Sequence, residues 1–149
     1  MDKLTRKTLV HRLRAAYPPS HELRLAFEEC VIAVETNSPE LKENLAAYYG
    51  AFVAEAERVD MRIVVHEACV QALSLPFLVK APEPGKTKVK EAFVDLPDGR
   101  VVRKELTGMV FVFGEGDHVA VGPCLDNSNQ IVNFVNNRYI EWRLRHGCL

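Results

Sequence analysis

Cys124 is the side chain in this sequence with the strongest case for chemistry. It stands between Gly122-Pro123 and a segment with helical character, and the partial positive charge at a helix N-terminus lowers the pKa of a nearby thiol. His118 or His66 would then serve as the general base of a stand-alone thiol enzyme. The spacing brings neither imidazole to Cys124. A buried structural cysteine is therefore the simpler interpretation, and the thiol enzyme stays open as an alternative.

Two other groupings resemble parts of known sites. Gly85-Lys86-Thr87 has the end of a phosphate-binding loop, but Lys80 stands where the pattern G-x-x-x-x-G-K-[ST] requires its first glycine. The run 66–69 contains part of a zinc motif, yet positions i and i+3 of a strand point to opposite faces, so His66 and Cys69 would not share a metal. We predict neither a nucleotide site nor a metal site from these residues.

Asp117 and Asp126 are the remaining candidates, as a carboxylate pair for acid-base catalysis. Both lie beside Gly or Asn, where aspartates usually form turns and helix caps. The sequence thus predicts no catalytic residue, no cofactor-binding residue and no metal ligand in this chain.

The composition is that of one domain, and it gives no indication of a strongly charged partner. The 149 residues are 48% hydrophobic, which is enough to bury a core, and 19 basic against 20 acidic side chains remove the electrostatic case for nucleic acid or an anionic membrane. The longest uncharged stretch, residues 68–79, is far shorter than the roughly 20 residues that span a bilayer. Four cysteines without a C-x-x-C pair favour a reducing, cytoplasmic location.

The first half of the chain predicts alternating helices and strands. An amphipathic helix ends before Pro18, because apolar residues share one helical face there (Leu9, Val10, Leu13, Ala16 and Tyr17). The local excess of basic residues leaves a basic docking arm as the alternative. Residues 25–36 and 61–70 read as strands. Between them, Ser38 caps a helix that begins at Pro39 and ends before Gly50.

The second half predicts a hairpin and two further strands. Residues 89–96 and 100–106 flank Pro97-Asp98-Gly99, and Asp-Gly favours the positive φ angles of a tight turn. Charges on both faces of this hairpin predict a projecting, half-solvated wing. The apolar run 109–113 predicts a central strand covered on both faces, and 118–122 predicts its neighbour.

The last element is a helix from about Ser128 to His146. Asn127 can cap its first N–H groups, Gln130 completes a capping box, and Gly147 suits the left-handed position after a helix. Apolar residues on one face are expected to pack on the sheet: Ile131, Val132, Val135, Tyr139 and Trp142. Together these elements predict an α+β domain with a mostly antiparallel sheet of five or six strands, an N-terminal amphipathic helix, one middle helix and a long C-terminal helix.

The opposite face of that helix is a candidate interface. It carries what we call the helix stripe, Asn133, Asn137, Ile140 and Leu144, with Arg138 and Glu141 on its flank. Burying a side chain such as Ile140 or Leu144 is worth roughly 1.5 to 3 kcal/mol, enough to matter in an interface. We predict that the helix stripe docks a further domain or a second copy of the chain. The alternative is that the wing covers it or that it is merely exposed.

The residues around this helix also carry a family resemblance. The string Val-Gly-Pro-Cys-Leu at 121–125 is followed at 129–142 by Asn-Gln-Ile-Val-Asn-Phe-Val-Asn-Asn-Arg-Tyr-Ile-Glu-Trp. This resembles the segment just before the ATP-binding region in HPr-kinase-related proteins, most closely the HprK-related kinase B subgroup. The rest of the chain matches only in general pattern.

The resemblance implies a domain that precedes a P-loop kinase domain, where ATP and magnesium would bind. No such loop stands in these 149 residues. We therefore expect a truncated chain, 1–149, that forms a non-catalytic N-terminal accessory domain for substrate recognition, regulation or assembly. Its expected partners are the downstream kinase domain, a second copy or a protein substrate. A protein-interaction module unrelated to kinases is the other alternative.

Overall fold

Residues 4–68, 75–79, 82, 84–86 and 90–147 are described in the computed structural model of the chain. The described part has three α-helices, α1 (Arg6–Ala16), α2 (Pro39–Tyr49) and α3 (Ser128–Arg145). Its strands are β1 (His21–Phe27), β2 (Cys30–Thr36), β3 (Met61–Glu67), β4 (Leu78–Val79), β5 (Glu91–Leu96), β6 (Gly99–Lys104), β7 (Val110–Gly114) and β8 (His118–Gly122). The predicted α+β class is confirmed, as are its three helices.

The strands form one eight-stranded mixed sheet in the order β1-β2-β3-β8-β7-β6-β5-β4. β3 pairs in parallel with both β2 and β8, and the other neighbours are antiparallel. The predicted sheet of five or six mostly antiparallel strands matches this only roughly. Residues 25–36, predicted as one strand, belong to two strands that turn at Glu28, whose φ is 32°. Glutamate rarely adopts a positive φ, so the sequence carries no ordinary turn signal there.

A β-α-β crossover produces the parallel pair of β2 and β3. Ser38 caps α2 as predicted, because its hydroxyl accepts the backbone N–H of Leu41 at 3.2 Å. Pro39 occupies the start of the helix, and Gly50 ends it with a φ of 50°. The helix carries the chain back along the sheet so that β3 can start beside β2 in the same direction.

The helices divide between the two faces of the sheet. α2 and α3 cover one face, where the core includes Leu25, Ile32, Ile63, Phe111 and Ile131. α1 covers the other face with Leu9 and Leu13, as its amphipathic pattern predicts. Valines of four strands meet it there: Val64, Val101, Val110, Val112, Val119 and Val121. The alternation of strand side chains between faces creates these two cores.

The wing, formed by β5 and β6, is the predicted hairpin with a different turn. Leu96 pairs with Gly99, so the turn residues are Pro97 and Asp98. The expectation that Asp98-Gly99 supplies positive φ angles is wrong, since neither residue has one. Gly99 is needed for a close approach instead: a Cβ there would collide with the backbone of Phe113 on β7.

α3 begins and ends close to its predicted bounds, but its start is capped differently. Asn127 turns its side-chain amide back to the Pro123 carbonyl at 2.8 Å, and Gln130 accepts a hydrogen bond from the Thr107 hydroxyl at 3.3 Å. The predicted side-chain cap and capping box are therefore wrong. Gly147 does have the predicted positive φ, at 65°.

The packing face of α3 is shifted toward its first half. Ile131, Val132 and Val135 are buried as predicted, and Phe134 joins them. Tyr139 and Trp142 pack only on the margin of the core and stay partly exposed. The N-terminal half of α3 therefore packs on the sheet, where Phe134 contacts β7 and β8.

Several predictions lie outside the described residues. These are the placement of Cys69, Cys148 and Thr87, and parts of the predicted loop 74–87 and strand 61–70. Within the described ranges, no helix has both the length and the apolarity to cross a bilayer.

Candidate functional site

A groove runs between α3 and the wing side of the sheet. α3 and β7 run in the same direction, because contacts between them follow the same order along both elements. The Thr107 hydroxyl bonds Gln130, the Phe134 ring lies 4.9 Å from that of Phe111, and the Arg138 guanidinium lies 5.3 Å from the Phe113 ring. One wall of the groove is therefore a helix and its floor is a strand.

The groove has a volume of about 890 Å³. Its lining includes Phe113, which is partly exposed, and the buried Phe111 and Phe134. It exists because α2 and α3 together cover β1, β2, β3, β8 and β7, and no described helix lies over the wing on this face. Leu106 stands at the wing side of the groove with 97% of its surface exposed. An exposed leucine beside a half-open aromatic groove is typical of a binding surface.

The helix stripe is continuous with this groove. Asn133 and Asn137 line the groove wall, and within the described part of the chain neither side-chain amide makes a hydrogen bond. Ile140 and Leu144 follow them along α3 and are 49% and 63% exposed. Neither the wing nor α1 covers them, since α1 packs on the opposite face of the sheet.

Arg138 and Glu141, predicted on the flank of the stripe, pair with each other. The two side chains are 2.8 Å apart, and Glu141 also holds Arg145 at 2.8 Å. The Arg138 guanidinium lies over the rings of Phe113 and Phe134, and its Nε is buried with no hydrogen-bond partner in the described structure. Arg138 is thus a fixed cation at one end of the groove, which sequence spacing did not indicate.

A second, polar cleft of about 430 Å³ lies on the other side of Arg138, where β3 and β8 begin. Its walls include Arg62, Asp117, His118 and Trp142. Burial, and secondarily the positive charge of Arg138, lower the pKa of His118 to about 4. His118 is therefore neutral at physiological pH. The acids of this cleft have cations of their own; Asp117, for example, lies 3.4 Å from Arg14.

Cys124 is not an activated thiol. It is fully buried, its Sγ donates to the backbone carbonyl of His66 at 3.4 Å, and burial followed by the charge of Glu67 raises its pKa. The His66 imidazole lies on the opposite face of the sheet, against the Tyr17 carbonyl at 2.9 Å. His118 stands at the far end of β8. The geometry gives the thiol-enzyme alternative no support.

The other sequence candidates are not brought together either. Asp117 precedes β8 and Asp126 follows it, so the strand separates the two carboxylates. The described residues contain no group of three or more His, Cys, Asp or Glu side chains placed to hold a metal. The residues predicted for an interface all lie on α3: Asn133, Asn137, Arg138, Ile140, Glu141 and Leu144.

Comparison of the chain with protein-family models, with curated proteins and with solved structures finds no match in any of the three. The kind of site therefore follows from geometry. The groove is half-open, Asn133 and Asn137 line its helical wall, and Ile140 and Leu144 lie exposed beside it.

Proposed function

We propose that this chain is a non-catalytic domain that binds another protein along α3. One observation carries the proposal: the helix stripe and the groove form a continuous exposed surface along α3. Ile140 and Leu144 each keep about half or more of their surface in water, and docking would remove that apolar area from water. Sites on helices that a core holds in place bind with less loss of conformational freedom.

The partner class rests on the resemblance to HPr-kinase-related proteins. Residues 129–142 of the resembling segment form most of α3, so Asn133, Asn137 and Ile140 belong both to the resemblance and to the helix stripe. We propose that the partner is the P-loop kinase domain of such a protein, which would supply ATP and magnesium, and that the chain acts in the cytoplasm. The free, buried thiols of Cys30 and Cys124 support a reducing location.

A binding experiment with matched variants tests this function. The chain is mixed with the P-loop domain of an HPr-kinase-related protein and followed by sedimentation velocity. We expect a complex that the Ile140→Glu/Leu144→Glu variant abolishes. Tyr48→Glu serves as the control, because Tyr48 is 64% exposed and belongs to α2 rather than to α3. A complex that survives the double substitution contradicts the proposed surface.

The chain alone provides the second measurement. If wild type self-associates and the double variant is a monomer, the stripe binds a second copy. If wild type is a monomer that binds no P-loop domain, the proposed function fails. Reading the coding sequence beyond residue 149 tests the kinase connection separately, since a strand followed by G-x-x-x-x-G-K-[ST] is expected there. Calorimetry with Mg-ATP is expected to give no saturable heat with this chain by itself.

A further inference from the structure

We propose that α1 is an acid-sensitive strap controlled by His66. When the imidazole of His66 takes up a proton, the C-terminal end of α1 is released from the sheet and the valines beneath it are uncovered. α1 lies on the opposite face of the sheet from α3, so this inference does not depend on the proposed function.

The His66 side chain joins the end of α1 to β3. It is fully buried, and its Nδ1 lies 2.9 Å from the backbone carbonyl of Tyr17, the residue that caps the C-terminus of α1. Because a carbonyl oxygen only accepts a hydrogen bond, Nδ1 carries the hydrogen of the neutral imidazole. A further proton must therefore bind at Nε2, which is buried and has no hydrogen-bond partner among the described residues.

The charges around His66 are already committed to one another. Arg14 of α1 and Glu35 of β2 both act on the imidazole, and they pair with each other at 3.2 Å. Arg62 and Asp117 extend the same network, since Arg62 binds Glu35 at 2.8 Å and Asp117 lies 3.4 Å from Arg14. No carboxylate in the described part of the chain is thus left to balance a charge on His66.

The remaining neighbours of His66 on this face are apolar. Val64 precedes it by two residues on β3, Val121 is its partner on β8, and Leu75 and Phe77 pack on the same cluster. Burial is the main cause that lowers the pKa of His66, and the hydrogen bond to the Tyr17 carbonyl opposes it. Protonation would place an unbalanced charge and an unsatisfied N–H in the interior, and moving the end of α1 away exposes both to water.

α1 can be released while the rest of the sheet stays folded. Only three of its side chains are buried, those of Arg6, Leu9 and Leu13. The core on the other face of the sheet contains no residue of α1, so α2 and α3 keep that core intact. The Asp98 carboxylate continues to hold the N–H of Arg6, because the pKa of Asp98 lies below its usual value. Mild acid should therefore release the C-terminal end of the helix first.

Amide hydrogen exchange of the whole chain tests the inference, measured by NMR and corrected for the effect of pH on unprotected amides. A histidine whose folded pKa is lowered stabilises the docked state above its unfolded pKa, about 6.5, and this stabilisation is lost as pH falls below that value. We expect the protection of residues 13–17 to fall up to about tenfold per pH unit below about pH 6.5. The first turn of α1 should lose less, and β2 and β3 should keep their protection.

Matched histidine variants identify the group that titrates. His66→Gln keeps an amide donor for the Tyr17 carbonyl but does not titrate, so its α1 protection should be the same at about pH 7 and about pH 5. His11→Gln and His118→Gln are the controls, because His11 is exposed on α1 and His118 packs against Phe134 on the other face. Both controls should keep the pH dependence of wild type.

Every outcome decides for or against the strap. If His66→Gln does not fold, the wild-type titration of the His66 imidazole replaces it, and its midpoint should coincide with the chemical-shift changes of the α1 amides. Unchanged protection of α1 in acid, or the wild-type pH dependence in His66→Gln, would overturn the inference. A simultaneous loss of protection in α1 and β3 would also overturn it, because that result describes unfolding of the whole domain.

Discussion

The carboxylate of Asp98 accepts the backbone N–H of Arg6 at 2.6 Å, which ties the turn of the wing to the first residue of α1. The same carboxylate accepts the N–H of Lys7 at 3.2 Å. The Arg6 side chain adds a further link between α1 and the sheet, since it is buried and donates a hydrogen bond to the backbone carbonyl of Asp117. Two segments about ninety positions apart in the chain are thereby joined, and a residue that marks a turn in the sequence also caps a helix.

Asp98→Ala is expected to loosen α1. The substitution leaves the first N–H groups of the helix without their acceptor, so the urea midpoint should fall and amide hydrogen exchange in α1 should accelerate. Asp95→Ala is the control, because among the described residues Asp95 pairs only with Arg100, and both side chains are exposed. Equal exchange rates in the two variants would contradict the capping role.

The same contact predicts a pH dependence. The N–H of Arg6 is the main cause of a pKa of Asp98 below its usual value. A carboxyl whose folded pKa is lowered stabilises the fold above its unfolded pKa, about 3.9, and that stabilisation is lost as pH falls through the folded value. The difference in urea midpoint between wild type and Asp98→Ala should therefore be largest near about pH 6 and should shrink below about pH 4.

Ile131→Ala and Trp142→Ala, both in α3, should lower the free energy of unfolding by different amounts. Ile131 is fully buried, so Ile131→Ala should lower the free energy of unfolding by about 2 to 5 kcal/mol. Trp142 lies at the margin of the core and stacks on His146 at 4.1 Å, so Trp142→Ala should cost less. Denaturant unfolding of both variants measures this order. A larger loss for Trp142→Ala would place the second half of the helix in the core.

Cys124 should resist alkylation in the folded protein. Its thiol is buried and its pKa is raised, so little thiolate forms near neutral pH. Iodoacetamide labelling followed by peptide mass mapping should show modification of Cys124 only when the chain is unfolded. Rapid labelling with an apparent pKa below about 8.5 would revive the thiol-enzyme alternative.

His118 should remain neutral on mild acidification. Its folded pKa of about 4 lies below the unfolded value of about 6.5, so its contribution to stability is present above pH 6.5 and is lost between 6.5 and 4. NMR titration of the imidazole measures the pKa directly. Arg138→Gln should raise it, though not to 6.5, because burial is the larger cause.

Local sequence signals determined the elements whose causes are local. Ser38 and Pro39 define the start of α2, Gly147 follows the end of α3, and strand β8 has its predicted bounds. Each depends on contacts within a few residues, such as a cap, a fixed proline φ or a positive glycine φ. The α+β class and the exposed asparagines of α3 follow from the same kind of pattern.

Only the tertiary structure decided how these elements are combined. A strand's apolar pattern does not name its neighbour, so the parallel pairing of β3 with β2 and β8 could not be read from it. Periodicity likewise gives α3 two candidate faces, and packing against β7 chooses one and leaves the groove beside the other. The fixed position of Arg138 and the lowered pKa of His118 arise from burial among residues distant in the chain. The sequence by itself determined α3 and its helix stripe, whereas the long-range packing of the sheet determined that the helix stripe borders a groove.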